Sequence, residues 1–188
     1  RHGNVAAEGW WKPYRPEAPH LLFSLSKSFT SCAVGLAREE GLLGLDDPVA
    51  KFFPAELTRG ADPRCREMTI RHLLTMATGH DRCALEYMTS SDDWAAAFFQ
   101  SPLAYRPGER FVYNSGATYM LSALLRRITG RSLTAYLRPR LLEPLGFGER
   151  NWETCPKGIE VGGWGFYATT EELARFAQML LQGGHCKQ

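Results

Sequence analysis

The sequence predicts an α+β domain in which helices dominate, and three observations carry that reading. Several stretches repeat apolar residues at helical spacing, and most of them are closed by a glycine or a proline. Only residues 5–11 and 110–112 read as extended. A chain of 188 residues with 44% hydrophobic content is long enough for one domain with a buried core and too short for two. The expected organisation is a single domain over 1–188, with a strand region in 1–20 and a mainly helical body over 21–188.

Taken in order, Val5 to Trp11 reads as a short strand that leaves into an irregular loop at Pro13 and Pro16; the Trp10-Trp11 pair fits lining a site, but covering a sheet with at least one of the two fits better. From Ser24 the spacing of Leu25, Phe29, Ala33, Leu36 and Ala37 predicts a helix running to about Glu40 and capped by Gly41. Leu45 to Val49 reads as a turn opening a short helix. Asp46 and Asp47 fit a capping role there better than a metal or acid–base one. A helix over 69–76 closes at Gly79, and His72 within it reads as a structural hydrogen-bonder. Ser90 with Asp93 suggests a capping box for a helix through Phe99. After Pro107 and Gly108 an extended piece leads to Tyr113, Asn114 and Ser115. Helices follow from Gly116 to Gly130 and over about 133–142. Residues 146–165 read as a loop rich in Gly and Trp, and Thr169 with Glu172 caps a last helix through Leu181, ended by Gly183 and Gly184.

Composition excludes several function classes. A net charge of +2 without a basic stripe gives no sign of a nucleic-acid partner. No apolar run reaches the length of a membrane span. The five cysteines, Cys32, Cys65, Cys83, Cys155 and Cys186, lack the short spacings of a zinc site or a redox dithiol. They read as reduced, mostly buried thiols, which favours a cytoplasmic location. The chain opens at Arg1, as the inside of something longer would, so a periplasmic or secreted location stays open.

Two groups of residues carry chemistry. Ser24 and Lys27 lie three apart at a helix start and so share a face. An alcohol is a poor nucleophile until a neighbouring base takes its proton, and a desolvated lysine can do so. The helix N-terminus adds partial positive charge beside a developing oxyanion. Taken alone, Ser-x-x-Lys is also what a capping serine and a solvated lysine look like. Tyr113 is the second group: a phenol beside a lysine ammonium can pass protons between a nucleophile and a leaving group. No metal or cofactor is called for.

Six segments then occur in an order that resembles a known family. They are Phe-Ser-Leu-Ser-Lys-Ser-Phe-Thr-Ser (23–31), Gly-Leu-Leu-Gly-Leu-Asp-Asp-Pro-Val (41–49), Ile-Arg-His-Leu-Leu-Thr-Met-Ala-Thr-Gly (70–79), Pro-Gly-Glu-Arg-Phe-Val-Tyr-Asn-Ser-Gly (107–116), Glu-Pro-Leu-Gly (143–146) and Gly-Gly-Trp-Gly-Phe-Tyr-Ala-Thr-Thr-Glu-Glu-Leu-Ala-Arg-Phe (162–176). Together they resemble the serine hydrolases related to class C β-lactamases, which include D,D-peptidases and esterases. The resemblance implies a β-lactamase/transpeptidase-like fold, with a helical region beside an antiparallel sheet that is incomplete in this chain. It implies acyl transfer to water through an acyl-enzyme, with Ser24, Lys27 and Tyr113 catalytic and Asn114 and Ser115 substrate-binding.

The pattern departs from the family in two places. The usual Tyr-x-Asn has Ser115 in third position, with Asn114 in the middle, and a hydroxyl cannot donate and accept as an amide does. The family's third motif, Lys-Thr-Gly or His-x-Gly on a later strand, has no match, so the chain is expected to stop inside the domain. The expected substrate is a small ester, β-lactam or amide, with a broad esterase favoured. The alternative is a catalytically weak family member that binds a ligand without turnover.

Overall fold

The computed structural model describes residues 3–57 and 61–185. Its helices are α1 (Ser26–Glu39), α2 (Ile70–Leu74), α3 (Leu85–Met88), α4 (Trp94–Gln100), α5 (Ser115–Thr129), α6 (Leu133–Leu137) and α7 (Thr170–Leu181). Two short strands, β1 (His20–Leu21) and β2 (Tyr167–Ala168), pair antiparallel with His20 opposite Ala168. Residues 5–11 form no strand, contrary to expectation. Val5 and Trp11 are exposed there, so no packed face supports a ladder. The strand falls instead where the chain meets the segment before α7.

Helix α5 forms the axis of the core. Every residue from Gly116 to Leu125 is buried, which makes it apolar around its circumference rather than on one stripe. Helices α1, α2, α4 and α6 pack on it. Helix α1 turns Phe29, Ala33, Val34 and Ala37 inward. Phe29 stacks on Phe176 of α7 with centroids 4.1 Å apart and meets Phe166 edge-on at 4.9 Å. One aromatic cluster therefore ties α1, α7 and the segment entering β2 together.

The helix ends follow local chemistry. Gly41 and Gly130 adopt φ of 72° and 67° just past α1 and α5, a conformation costly for any residue with a Cβ. Thr69 accepts from the His72 backbone N–H while His72 Nδ1 accepts from the Thr69 N–H, so His72 closes a capping box. Thr169 and Glu172 form the expected box on α7. Buried Glu172 also receives Arg150 and the Gly148 N–H. Burial alone would raise its pKa, but those donors hold the carboxyl below its ordinary value.

Three local expectations are corrected. Helix α4 starts at Asp93, whose carboxylate accepts from the Ala96 N–H, and not at Ser90. The chain after α6 widens into a π turn over Arg138–Leu142, where Pro139 supplies no N–H for an α-helical bond. Asp46 forms a two-point ion pair with Arg71, and Asp47 accepts from the Gly44 N–H in a turn, so neither caps the short 3₁₀ turn at Val49–Lys51.

Cys32, Cys65, Cys83 and Cys155 are free thiols, two of them buried; Cys186 lies outside the described residues. Among the described residues no helix is long and apolar enough to cross a membrane.

Candidate active site

Ser24 lies in the middle of a 3₁₀ turn, Phe23–Leu25, between β1 and α1. Phe23 has φ of 46°, in the left-handed region, which costs a residue with a Cβ on the order of 1–2 kcal/mol. The turn persists because both sides are pinned to Phe166. The Leu22 N–H donates to the Phe166 carbonyl at 2.8 Å, and the Phe166 N–H donates to the buried Ser26 hydroxyl at 3.2 Å. Strain held in this way beside a reactive side chain is a common feature of functional sites.

Lys27 sits in the first turn of α1. Its Nζ donates to Ser24 Oγ at 3.1 Å and to the Gly163 carbonyl at 2.6 Å, and lies 5.0 Å from the centre of the Tyr113 ring. The Tyr113 hydroxyl is 2.6 Å from Ser24 Oγ, across 89 residues of sequence. The three expected catalytic side chains therefore form one connected group. Partial burial alone would raise the Tyr113 pKa. The hydrogen bond with Ser24, the adjacent Lys27 and its charge, and the Ser115 hydroxyl outweigh burial and lower it below its ordinary value. A phenol that gives up its proton more readily, hydrogen-bonded to an alcohol and backed by an amine, can take and return the alcohol's proton.

Asn114 and Ser115 part company. Asn114 is fully buried and caps α5: its Oδ1 accepts from the Ala117 N–H at 3.3 Å and the Ala84 N–H at 3.1 Å. Its Nδ2 donates to Thr78 Oγ1 at 3.2 Å, and Thr78 in turn contacts His80 Nδ1 at 2.9 Å. The Asn114 amide thus fixes the start of α5 immediately after Tyr113. Ser115 is half-buried and stays at the site. A methyl group placed on Gly163 would stand 3.5 Å from Ser115 Cβ and 3.6 Å from Lys27 Nζ.

Sequence reasoning missed the strap over residues 160–166. Thr30 of α1 donates to the Gly162 carbonyl at 2.8 Å, and Ser122 of α5 donates to the Glu160 carbonyl at 2.5 Å. Gly162 has φ of 66°, and a Cβ there would come 2.9 Å from Ser122 Cβ. Only glycine lets the backbone approach both helices this closely, and that approach brings the Gly163 carbonyl to Lys27. The Gly162-Gly163 pair was the available signal.

A separate cleft of about 290 Å³, lined by Phe53, Asp93, Tyr119, Arg126, Arg127 and Lys157, contains no part of the Ser24 group. Among the described residues no three His, Cys, Asp or Glu side chains gather as a metal site would need.

The chain matches the Beta-lactamase family model over residues 1–187. Among curated proteins it is 28% identical to Protein flp of Staphylococcus aureus (strain COL) over 136 residues, 69% of this chain and 27% of that protein. It is 24% identical to Penicillin-binding protein 4* of Bacillus subtilis (strain 168) over 168 residues, 82% of this chain and 36% of that one. The backbone superposes on a solved structure described as a 6-aminohexanoate-dimer hydrolase from Bacillus anthracis with a TM-score of 0.82 at 23% identity, covering 96% of this chain and 52% of the other. It superposes on an octameric penicillin-binding protein homologue from Pyrococcus abyssi with a TM-score of 0.74 at 24% identity, covering 92% and 47%. The chain thus spans between about a quarter and a half of the length of these relatives. A family match across nearly every residue, with the fold shared in two solved structures, places this chain in the Beta-lactamase family.

Proposed function

We propose that this chain carries the acyl-transfer machinery of a serine hydrolase acting on small esters. The observation that supports it most directly is the Ser24 hydroxyl in hydrogen-bond contact with both Lys27 Nζ and the Tyr113 hydroxyl. Ser24 Oγ attacks the ester carbonyl carbon, and its proton passes to the Tyr113–Lys27 pair. As the tetrahedral intermediate collapses, the bond to the leaving alcohol breaks and Tyr113 returns the proton to that oxygen. Water then attacks the acyl-enzyme, gives its proton to the same pair, and releases the acid with Ser24 restored. The Ser24 backbone N–H, near the start of α1, is the donor we assign to the oxyanion.

Esters are favoured over β-lactams because Ser115 stands where Tyr-x-Asn enzymes have their amide. Its hydroxyl has one proton to donate and serves an ester oxygen better than the paired polar atoms of a substrate amide. The chain's relatives include a penicillin-binding protein, so a penicillin is the natural competing probe.

Incubation with a fluorophosphonate or with a penicillin, followed by mass spectrometry of the digested chain, tests this reading. Time-dependent mass gain at Ser24 with the fluorophosphonate, abolished in Ser24→Ala, is the expected result. Labelling that persists in Ser24→Ala refutes the assignment. An unlabelled Ser24 favours a protein that binds without turnover.

A further inference from the structure

All ten phenylalanines of the chain lie in the described residues, and only Phe23 and Phe111 are exposed, at 67% and 66%. Both adjoin the reacting group along the chain. Phe23 immediately precedes Ser24 on the strained turn, and Leu25 on its other side is 44% exposed. Phe111 lies two residues before Tyr113 on an extended segment. The Val112 N–H donates to the Met76 carbonyl at 3.0 Å and the Asn114 N–H to Met76 Sδ at 3.3 Å, so alternate residues face the same neighbour. Side chains two residues apart on an extended chain lie on one face, so Phe111 and Tyr113 share a face that Val112 and Asn114 do not. The burial pattern agrees: Phe111 and Tyr113 are exposed, Val112 is half-buried and Asn114 is fully buried.

The geometry points to substrates with non-polar groups on both sides of the reacting carbonyl, with Phe111 as the specificity-determining residue and Phe23 as its counterpart across Ser24. This rests on the serine-hydrolase reading above. Phe23 is held in an unfavourable backbone conformation with its ring in solvent, which gives the free chain no packing return. A ring that contributes nothing to the core gains its contact when a hydrocarbon chain lies against it and leaves water. The apolar occupant is the substrate itself, because Phe23 adjoins Ser24 and Phe111 shares a face with Tyr113, and Ser24 and Tyr113 are the hydrogen-bonded alcohol and phenol beside Lys27.

The test uses phosphonofluoridates bearing a methyl, butyl or octyl group on phosphorus. Ser24 Oγ forms the bond to phosphorus, the P–F bond breaks, fluoride leaves, and the serine proton passes to the Tyr113–Lys27 pair. The adduct is permanent, so mass spectrometry gives a second-order rate for each probe, which is divided by that probe's own rate with hydroxide. Full burial of a methylene is worth about fourfold, and contact on one side about twofold. The normalised octyl rate should therefore exceed the methyl rate on the order of a hundredfold.

In Phe111→Ala that ratio should fall about tenfold or more, Phe111→Leu should recover part of it, and Phe23→Ala should lower it independently. A ratio taken within one variant is insensitive to how much of the sample is folded. Labelling at Ser24 with no dependence on chain length overturns this proposal and leaves the hydrolase reading standing. A chain-length dependence unchanged in both phenylalanine variants also overturns it. Absence of Ser24 labelling by all three probes overturns both.

Discussion

Replacing Asn114 by alanine separates two roles that adjoining residues could hold. The Asn114 side chain is fully buried and bonded on every side, to the Ala117 and Ala84 N–H groups and to Thr78. Removing the cap of α5 costs about 1 kcal/mol. Ala84 is also fully buried, so its N–H is left without an acceptor in a place water does not reach. A stranded donor of that kind adds about 1–3 kcal/mol. The sum is about 2–4 kcal/mol, a large part of the roughly 5–15 kcal/mol that holds a domain together. For a chain of this length each kcal/mol moves Tm by about 2–4 °C, so Asn114→Ala should melt about 4–16 °C lower.

Urea unfolding followed by tryptophan fluorescence reads the midpoint, and fluorophosphonate labelling of Ser24 reads the site. Ser115→Ala is the matched comparison: half-buried and making no cap, it should stay within about 0.5 kcal/mol of the parent while slowing labelling. An Asn114→Ala chain that unfolds at the parent's midpoint yet fails to label would refute the structural assignment. It would return Asn114 to the substrate.

The helices were legible because their signals are local. The capping box of Thr169 and Glu172, and the turns at Gly41 and Gly130, are written in residues a few positions apart. Where two local signals competed, sequence could not rank them: Ser90 and Asp93 both suit a helix start, and the one directly before Trp94 takes the bond. The serine–lysine pair was equally readable, one helical turn apart. What joins it to the rest is not local. The Gly163 carbonyl reaches Lys27 across 136 residues, and β1 finds its partner beside α7. No window of sequence shows that Gly162 must pass between Ser122 and Thr30. Asn114 and Ser115 are both polar and adjacent, and only the direction of the extended segment decides which faces the interior. The preference of asparagine for the N-cap was the clue that could have decided it.

Lys27→Ala and Tyr113→Phe should each slow Ser24 acylation by orders of magnitude, with the double variant little worse than the poorer single; fully multiplicative losses would show that the pair does not act as a unit. Gly162→Ala should destabilise the chain by about 1–3 kcal/mol and slow acylation as well, since a Cβ there meets Ser122 and displaces the strap that holds Lys27; parent-like melting and labelling would refute the role of the strap. Acid should act through His80, which is 1% exposed and whose pKa burial pushes down from 6.5 to about 4 against the weaker pull of Phe98 and Asp81. Because the folded value lies below the unfolded one, the unfolded chain binds the proton first, so this contribution is intact above pH 6.5 and is lost as pH falls toward 4. The loss reaches about 2 kcal/mol by pH 5 and about 3 kcal/mol at the lower end. His72, also held low chiefly by burial, adds a slope of the same sign. A proton on His80 Nδ1 removes the acceptor facing Thr78 and Asn114, so the start of α5 and with it Tyr113 should loosen over the same range. Urea midpoints between pH 7 and 4 should fall in the parent and fall much less in His80→Gln; equal slopes in the two chains would assign the acid sensitivity elsewhere.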